Sequence, residues 1–210
     1  MTFKLPSLIS ILVVLFSCKA EHRSDNAVLQ IILSRDNAKI LANKFVYLFD
    51  VSKKVILDSV VVAGDTVTFN RHCNPDFAPY MVSVERIDTF KGHPFLRPMG
   101  FQSPYNAKFI YSSFYLDKGV TILKPILNGN INEQTGFTGS VQNEPFLKRV
   151  ELQYTIGNPA NSQVIIKENI SKIKAYPYSM YLLEQLFYNK EKFSNKDLKN
   201  QLSFFDNNLK

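Results

Sequence analysis

Tyr80–Asp88, YMVSVERID, decides how this chain is read. Tyr80, Val82 and Val84 fall on one face, and Ser83 and Glu85 on the other. That period of two is the mark of an antiparallel strand with one buried face. Working outward, the same texture recurs in both directions. AVLQIIL (Ala27–Leu33), KFVYLFDV (Lys44–Val51), VILDSVVV (Val55–Val62) and TVTFN (Thr66–Asn70) are short apolar or β-branched runs. They are separated by the turn residues SRDN, SKK and Ala63-Gly64-Asp65. Downstream come KFIYSSFYLD (Lys108–Asp117), VTILKPIL (Val120–Leu127) and the short return GFTGSV (Gly136–Val141). Asn128-Gly129-Asn130 is a hairpin signal. Pro125 predicts an edge or a bulge for its strand, because proline cannot donate to a ladder.

Between these runs lies Thr89–Ala107, TFKGHPFLRPMGFQSPYNA, with three prolines, two glycines and five aromatic rings counting His93. The sequence predicts a long loop here, and loops of that length usually carry function. Its rings are expected to pack over one end of the fold; the competing expectation is a contact surface for a partner, with Phe90, His93, Phe95, Phe101 and Tyr105 as its candidate residues.

After Asn143 the period lengthens. EPFLKRVELQYTI (Glu144–Ile156) spaces Leu147, Val150 and Tyr154 as a helix face would, and Ala160–Lys174 reads as a second helix. Pro177 precedes YSMYLLEQLFYN at a position where a first helical turn tolerates proline. SNKD (Ser194–Asp197) is a capping box opening a helix that carries Leu198, Leu202, Phe205 and Leu209. The fold class expected is therefore α+β: an N-terminal antiparallel β-sandwich over 27–143 and a helical appendage over 144–210. At 210 residues and 45% hydrophobic, with 17 Phe and 10 Tyr, the chain is long and apolar enough to bury a sizeable core.

The N-terminus reads as an address. Lys4 is followed by LISILVVLF (Leu8–Phe16), too short for a membrane-spanning helix and of the length of a signal-peptide apolar region. Leu15-Phe16-Ser17-Cys18 resembles the bacterial lipobox, in which the cysteine sulfur takes a diacylglyceryl group. Residues 1–17 are thus expected to be a lipoprotein signal peptide, with Cys18 the lipidation site and 18–26 a polar tether. Two or three acyl chains on one residue anchor stably where one does not. The alternatives are an ordinary secretory signal or a buried strand.

The remaining thiol is Cys73, and no Cys-x-x-Cys occurs. His72-Cys73 looks chemical, since a Cys-His pair makes a nucleophile or half a zinc site. Neighbours on a strand point to opposite faces, however, and His22 and His93 lie in the tether and the long loop. Glu85 and Asp88 are the kind of carboxylate pair that glycosidases use, but such pairs arise by chance among 18 acidic residues. No phosphate loop, nucleophile elbow or zinc-helix motif is present. The net charge of +7 is spread rather than gathered into one basic face, so a nucleic-acid partner is not expected. Neither a cofactor nor a metal is expected.

Four segments carry a resemblance: LDSVVVAGDTVTF (Leu57–Phe69), FYLDKGVTI (Phe114–Ile122), FTGSVQNEPF (Phe137–Phe146) and YPYSMYLLEQLF (Tyr176–Phe187). In that order they resemble the domain of unknown function 4369 of Bacteroidetes-type envelope proteins. That domain usually stands in front of a thioredoxin-like, peroxiredoxin-related domain. The resemblance implies a β-domain and an envelope setting facing the periplasm or the cell surface. It also implies that the redox half, which would begin near Lys210, is not part of this chain. The function expected is that of a non-catalytic, membrane-anchored envelope lipoprotein that binds a protein, peptide or glycan. The alternative is a truncated or accessory member of a thiol-disulfide oxidoreductase system, docking to a separate thioredoxin-like protein.

Overall fold

The computed structural model describes residues 25–74, 76–127, 135–154 and 159–209. The expected signal segment, Cys18, His22, most of the expected tether and the expected Asn128–Asn130 turn lie outside them. The described residues form an α+β fold.

Two sheets carry the β part. The first contains β1 (Asn26–Ile32), β4 (Thr66–His72), β10 (Gly119–Lys124) and β11 (Gly136–Thr138), in the order β11-β10-β1-β4. The second contains β2 (Phe45–Asp50), β3 (Val55–Val61), β5 (Tyr80–Phe90), β6 (His93–Pro98) and β9 (Ser113–Leu116). Its order is β3-β2-β5-β6, with β9 also on β5. A small ribbon pairs β7 (Phe101–Gln102) with β8 (Ile110–Tyr111). One cluster takes buried residues from both sheets: Leu29, Ile31, Val67, Phe69 and Leu123 from the first, Val46, Leu48, Val82, Val84, Phe114 and Leu116 from the second.

The all-antiparallel expectation fails at one pair. β1 and β10 run parallel, from Ala27↔Gly119 to Ile31↔Leu123. Alternation within a strand reports which face is buried and says nothing of its neighbour's direction. Pro125 does not mark an edge strand either. β10 lies between β1 and β11 and ends at Lys124, so Pro125 falls just outside the ladder. The stretch read as the turn SRDN is instead the start of α1 (Arg35–Leu41), capped by Ser34, whose Oγ accepts from Asn37 N at 3.2 Å.

The strand YMVSVERID behaves as expected on one face only. Val82 and Val84 are buried in the core, but Ser83 and Glu85 are buried as well, with Ser83 Oγ donating to Glu85 Oε1 at 2.7 Å. The helical part covers the outer side of β9. There Tyr115 is fully buried and its hydroxyl donates to Glu184 Oε2 at 2.5 Å.

The helices after Asn143 are α2 (Asn143–Leu147), α3 (Pro159–Ala175), α4 (Met180–Tyr188) and α5 (Asn195–Leu202). Ser194 caps α5, its Oγ accepting from Asp197 N at 3.1 Å. The expected helix over Glu144–Ile156 has to be corrected. α2 stops at Leu147, Arg149 takes a left-handed φ of 56°, and residues 150–154 are neither helix nor strand. Leu152 is buried between exposed Glu151 and Gln153, so the period here is two.

Side-chain amides hold this segment as a neighbouring strand would. Gln185 Nε2 donates to Val150 O at 3.3 Å, and its Oε1 accepts from Leu152 N at 2.8 Å. Asn169 accepts from Gln153 N at 2.8 Å and donates to Gln153 O at 2.9 Å. With Val150 O, Leu152 N and both backbone groups of Gln153 satisfied in this way, the segment does not depend on helical hydrogen bonds. A second cluster of Leu152, Ile173, Leu182, Leu186 and Phe205 forms around it.

Candidate functional site

The region read as a long loop is mostly a hairpin arm. β5 continues to Phe90, turns through Lys91 and Gly92, and returns as β6. Both turn residues have positive φ, 49° and 81°, which is the two-residue turn whose twist matches a hairpin. The prolines that argued for a loop are harmless here. Met99 N donates to Val84 O at 2.7 Å. Counting along the ladder from that bond, Pro94 and Pro98 face Thr89 and Glu85 at the non-hydrogen-bonded positions. A proline there lacks only a donor that would have pointed outward. Two prolines on an edge also discourage another strand from pairing with it.

β2 pairs with β5 only as far as Arg86. Beyond it, among the described residues, the arm is two strands with no third beside them. Its register sets the faces. Ile87 opposes Leu96 on one side, while Asp88 opposes Phe95 and Phe90 opposes His93 on the other. Ile87 is 51% exposed, Phe90 65% and Phe95 43%, and His93 is exposed too. From Arg86 to Pro98 the arm carries Arg86, Lys91 and Arg97 against the single carboxylate of Asp88. Arg97 Nη1 donates to Asp88 Oδ2 at 2.9 Å, with Arg86 Nη2 3.4 Å away on the same oxygen. Lys91 Nζ lies 5.4 Å from the centre of the Phe90 ring.

The Arg97 hydrogen bond, helped by the Thr89 backbone N–H, holds the Asp88 carboxyl below its ordinary pKa. A depressed carboxylate stabilises the fold above the ordinary range and loses that contribution as pH falls through the lowered value. Lowering pH below the ordinary carboxylate range, through the depressed Asp88 value, is therefore expected to release Arg97 and loosen the arm. NMR titration of the Asp88 carboxyl and the Arg97 guanidinium should show both moving with one apparent pKa.

Of the five candidate contact residues, three sit on this arm: Phe90, His93 and Phe95. Tyr105 is exposed but lies elsewhere, in the loop after β7, with Lys148 Nζ 4.9 Å from its ring centre. The assignment of Phe101 has to be corrected. It is fully buried, its ring centroid 5.0 Å from Phe137 and 6.0 Å from Phe114, and so belongs to the core and not to a surface. Ile87, Lys91 and Arg97 were missed because their exposure depends on the strand outrunning its neighbour.

The other candidates do not assemble. Cys73 is buried while His72 is exposed, its Nδ1 3.3 Å from Asn26 Oδ1. Burial pushes the Cys73 thiol pKa up, which suppresses the thiolate. In a Cys18→Ala chain, Cys73 is expected to react with an aromatic disulfide at least tenfold slower in the folded protein than in denaturant, read as thiolate release. Glu85 and Asp88, three apart on a strand, point to opposite faces.

A polar cleft of about 540 Å³ lies between the β part and the helices, lined by Asp76, Asp117, Lys118, Gln142, Tyr178 and Asp206 among others. Among the described residues no histidine lines it, and Ser140 Oγ donates to Asp117 Oδ2 at 2.8 Å. Among the described residues no group of three or more His, Cys, Asp or Glu is placed to hold a metal ion, and no helix is long and apolar enough to cross a membrane. Comparison with family models, with characterised proteins and with solved structures returns no match for this chain.

Proposed function

We propose that the chain is a non-catalytic lipoprotein of the cell envelope that works by contact, held by lipid on Cys18 and meeting a second component through the β5–β6 arm. The arm carries this reading. It places apolar side chains in solvent on a ribbon that is too narrow to bury them itself, and exposed apolar patches of this kind mark interaction sites. The order of the four motifs resembling domain of unknown function 4369 supports the envelope setting and the β-sandwich reading of the two sheets.

The alternative role, accessory to a thiol-disulfide system, gains nothing from Cys73. A lone buried thiol with a raised pKa is poorly suited to exchange.

The anchor is tested by labelling cells with a tagged fatty acid. The wild-type chain is expected to take the label and fractionate with membranes, and the Cys18→Ala chain to lose the label and leave the membrane fraction. Persistence of the Cys18→Ala chain as a labelled membrane species would overturn the reading.

A further inference from the structure

We infer that the β5–β6 arm docks on an anionic bilayer surface, with its apolar side chains among the lipids and its cations at the head groups. This rests on reading the arm as the contact surface and names what it meets. Three observations converge on a bilayer.

The first is that the apolar side chains lie on both faces of the ribbon: Ile87 and Leu96 on one, Phe90 and Phe95 on the other. A groove on a protein covers one face of a ribbon well and leaves the other wet. A bilayer interface surrounds both.

The second is charge. Lys91 and Arg97 are exposed, and Asp88, the arm's single carboxylate, is neutralised by its two arginines, so the arm presents net positive charge. Basic residues beside an apolar surface are attracted to anionic head groups, at about 1 kcal/mol each, or about fivefold in binding.

The third is the blocked edge. Pro94 and Pro98 remove two of the outward donors of β6, so the arm is poorly made for strand addition, the commonest way in which a protein would bind an exposed β edge.

The chain contains no tryptophan, so a single introduced one reports on its own surroundings. The test uses the full-length Phe95→Trp chain with vesicles of phosphatidylcholine, alone or with about one-third phosphatidylglycerol. A blue shift, and quenching by lipids brominated on the acyl chain, are expected with the anionic vesicles. With the neutral ones the apparent affinity should be at least tenfold weaker. Lys91→Glu in the same background should weaken the anionic response about fivefold or more. Adding Phe90→Ser should weaken it about tenfold. Tyr188→Trp, on the helical part, should show neither shift nor quenching.

The inference is overturned if the fluorescence of the Phe95→Trp chain ignores both kinds of vesicle, or moves only with delipidated envelope protein, which would make the occupant a protein. The measurement is repeated in Cys18→Ala. A signal that survives there separates arm docking from anchoring, so either reading can fail without the other.

Discussion

Asn143→Ala is expected to destabilise the protein by about 2–5 kcal/mol, a large effect for the loss of one small polar side chain. Asn143 is almost wholly buried at the start of α2. Its Oδ1 accepts from Tyr115 N at 2.6 Å and its Nδ2 donates to Tyr115 O at 2.8 Å. β9 is short, and this one amide serves as its neighbouring strand at Tyr115. Alanine leaves two buried backbone groups without partners, each costing about 1–3 kcal/mol. Asn143→Asp is expected to be at least as damaging, because it keeps the acceptor, loses the donor and sets a carboxylate oxygen against Tyr115 O. Urea midpoints at constant slope would measure both. A loss below about 0.5 kcal/mol for the alanine variant would show that the bracket contributes little.

Phe101→Ala is expected to cost about 3–5 kcal/mol, the range for removing a buried ring. Phe101 stands where β7 meets the aromatic cluster, stacked with Phe137 and Tyr111 and edge-on to Phe114. Truncation opens a cavity lined by three rings whose own positions depend on the fourth. Phe101→Leu, which keeps much of the volume, should cost under about 1.5 kcal/mol. The contrast with Phe90→Ala is the informative one. Phe90 belongs to the same 89–107 stretch, which by its composition reads as one loop. Its removal should nonetheless change stability by no more than about 0.5 kcal/mol. Equal losses for the two variants would contradict the burial of one ring and the exposure of the other.

Much of the fold was legible wherever a local rule decided it. The capping box of α5 and the core face of β5 follow from spacing alone. What escaped was settled by distant partners. The direction of β10 against β1 is a matter of topology, to which alternation is blind. Residues 150–154 satisfy helical spacing through Leu147, Val150 and Tyr154 and strand spacing through Val150, Leu152 and Tyr154. The amides of Asn169 and Gln185, 16 to 35 residues away, favour the second. In the candidate site, aromatic composition pointed to the right stretch but could not separate Phe101 from Phe90 and Phe95. Proline was also read as a breaker where the ladder tolerates it.

The two ends of β5 lie far apart. Asp25 O accepts from Cys73 N, β1 and β10 start together at Ala27 and Gly119, and Tyr80 opposes Leu116 at that same end of the sheets. Phe90 is ten strand steps away, about 33 Å. A tether of seven residues beyond Cys18 reaches at most about 25 Å. A chain anchored at Cys18 and docked through its arm on one membrane must therefore tilt away from upright, held at two separated points. The second attachment is then intramolecular, made at an effective concentration in the millimolar range. An arm whose own affinity for lipid is only millimolar would still spend about half its time docked, and a modest change in head-group charge would tip the balance between docked and released.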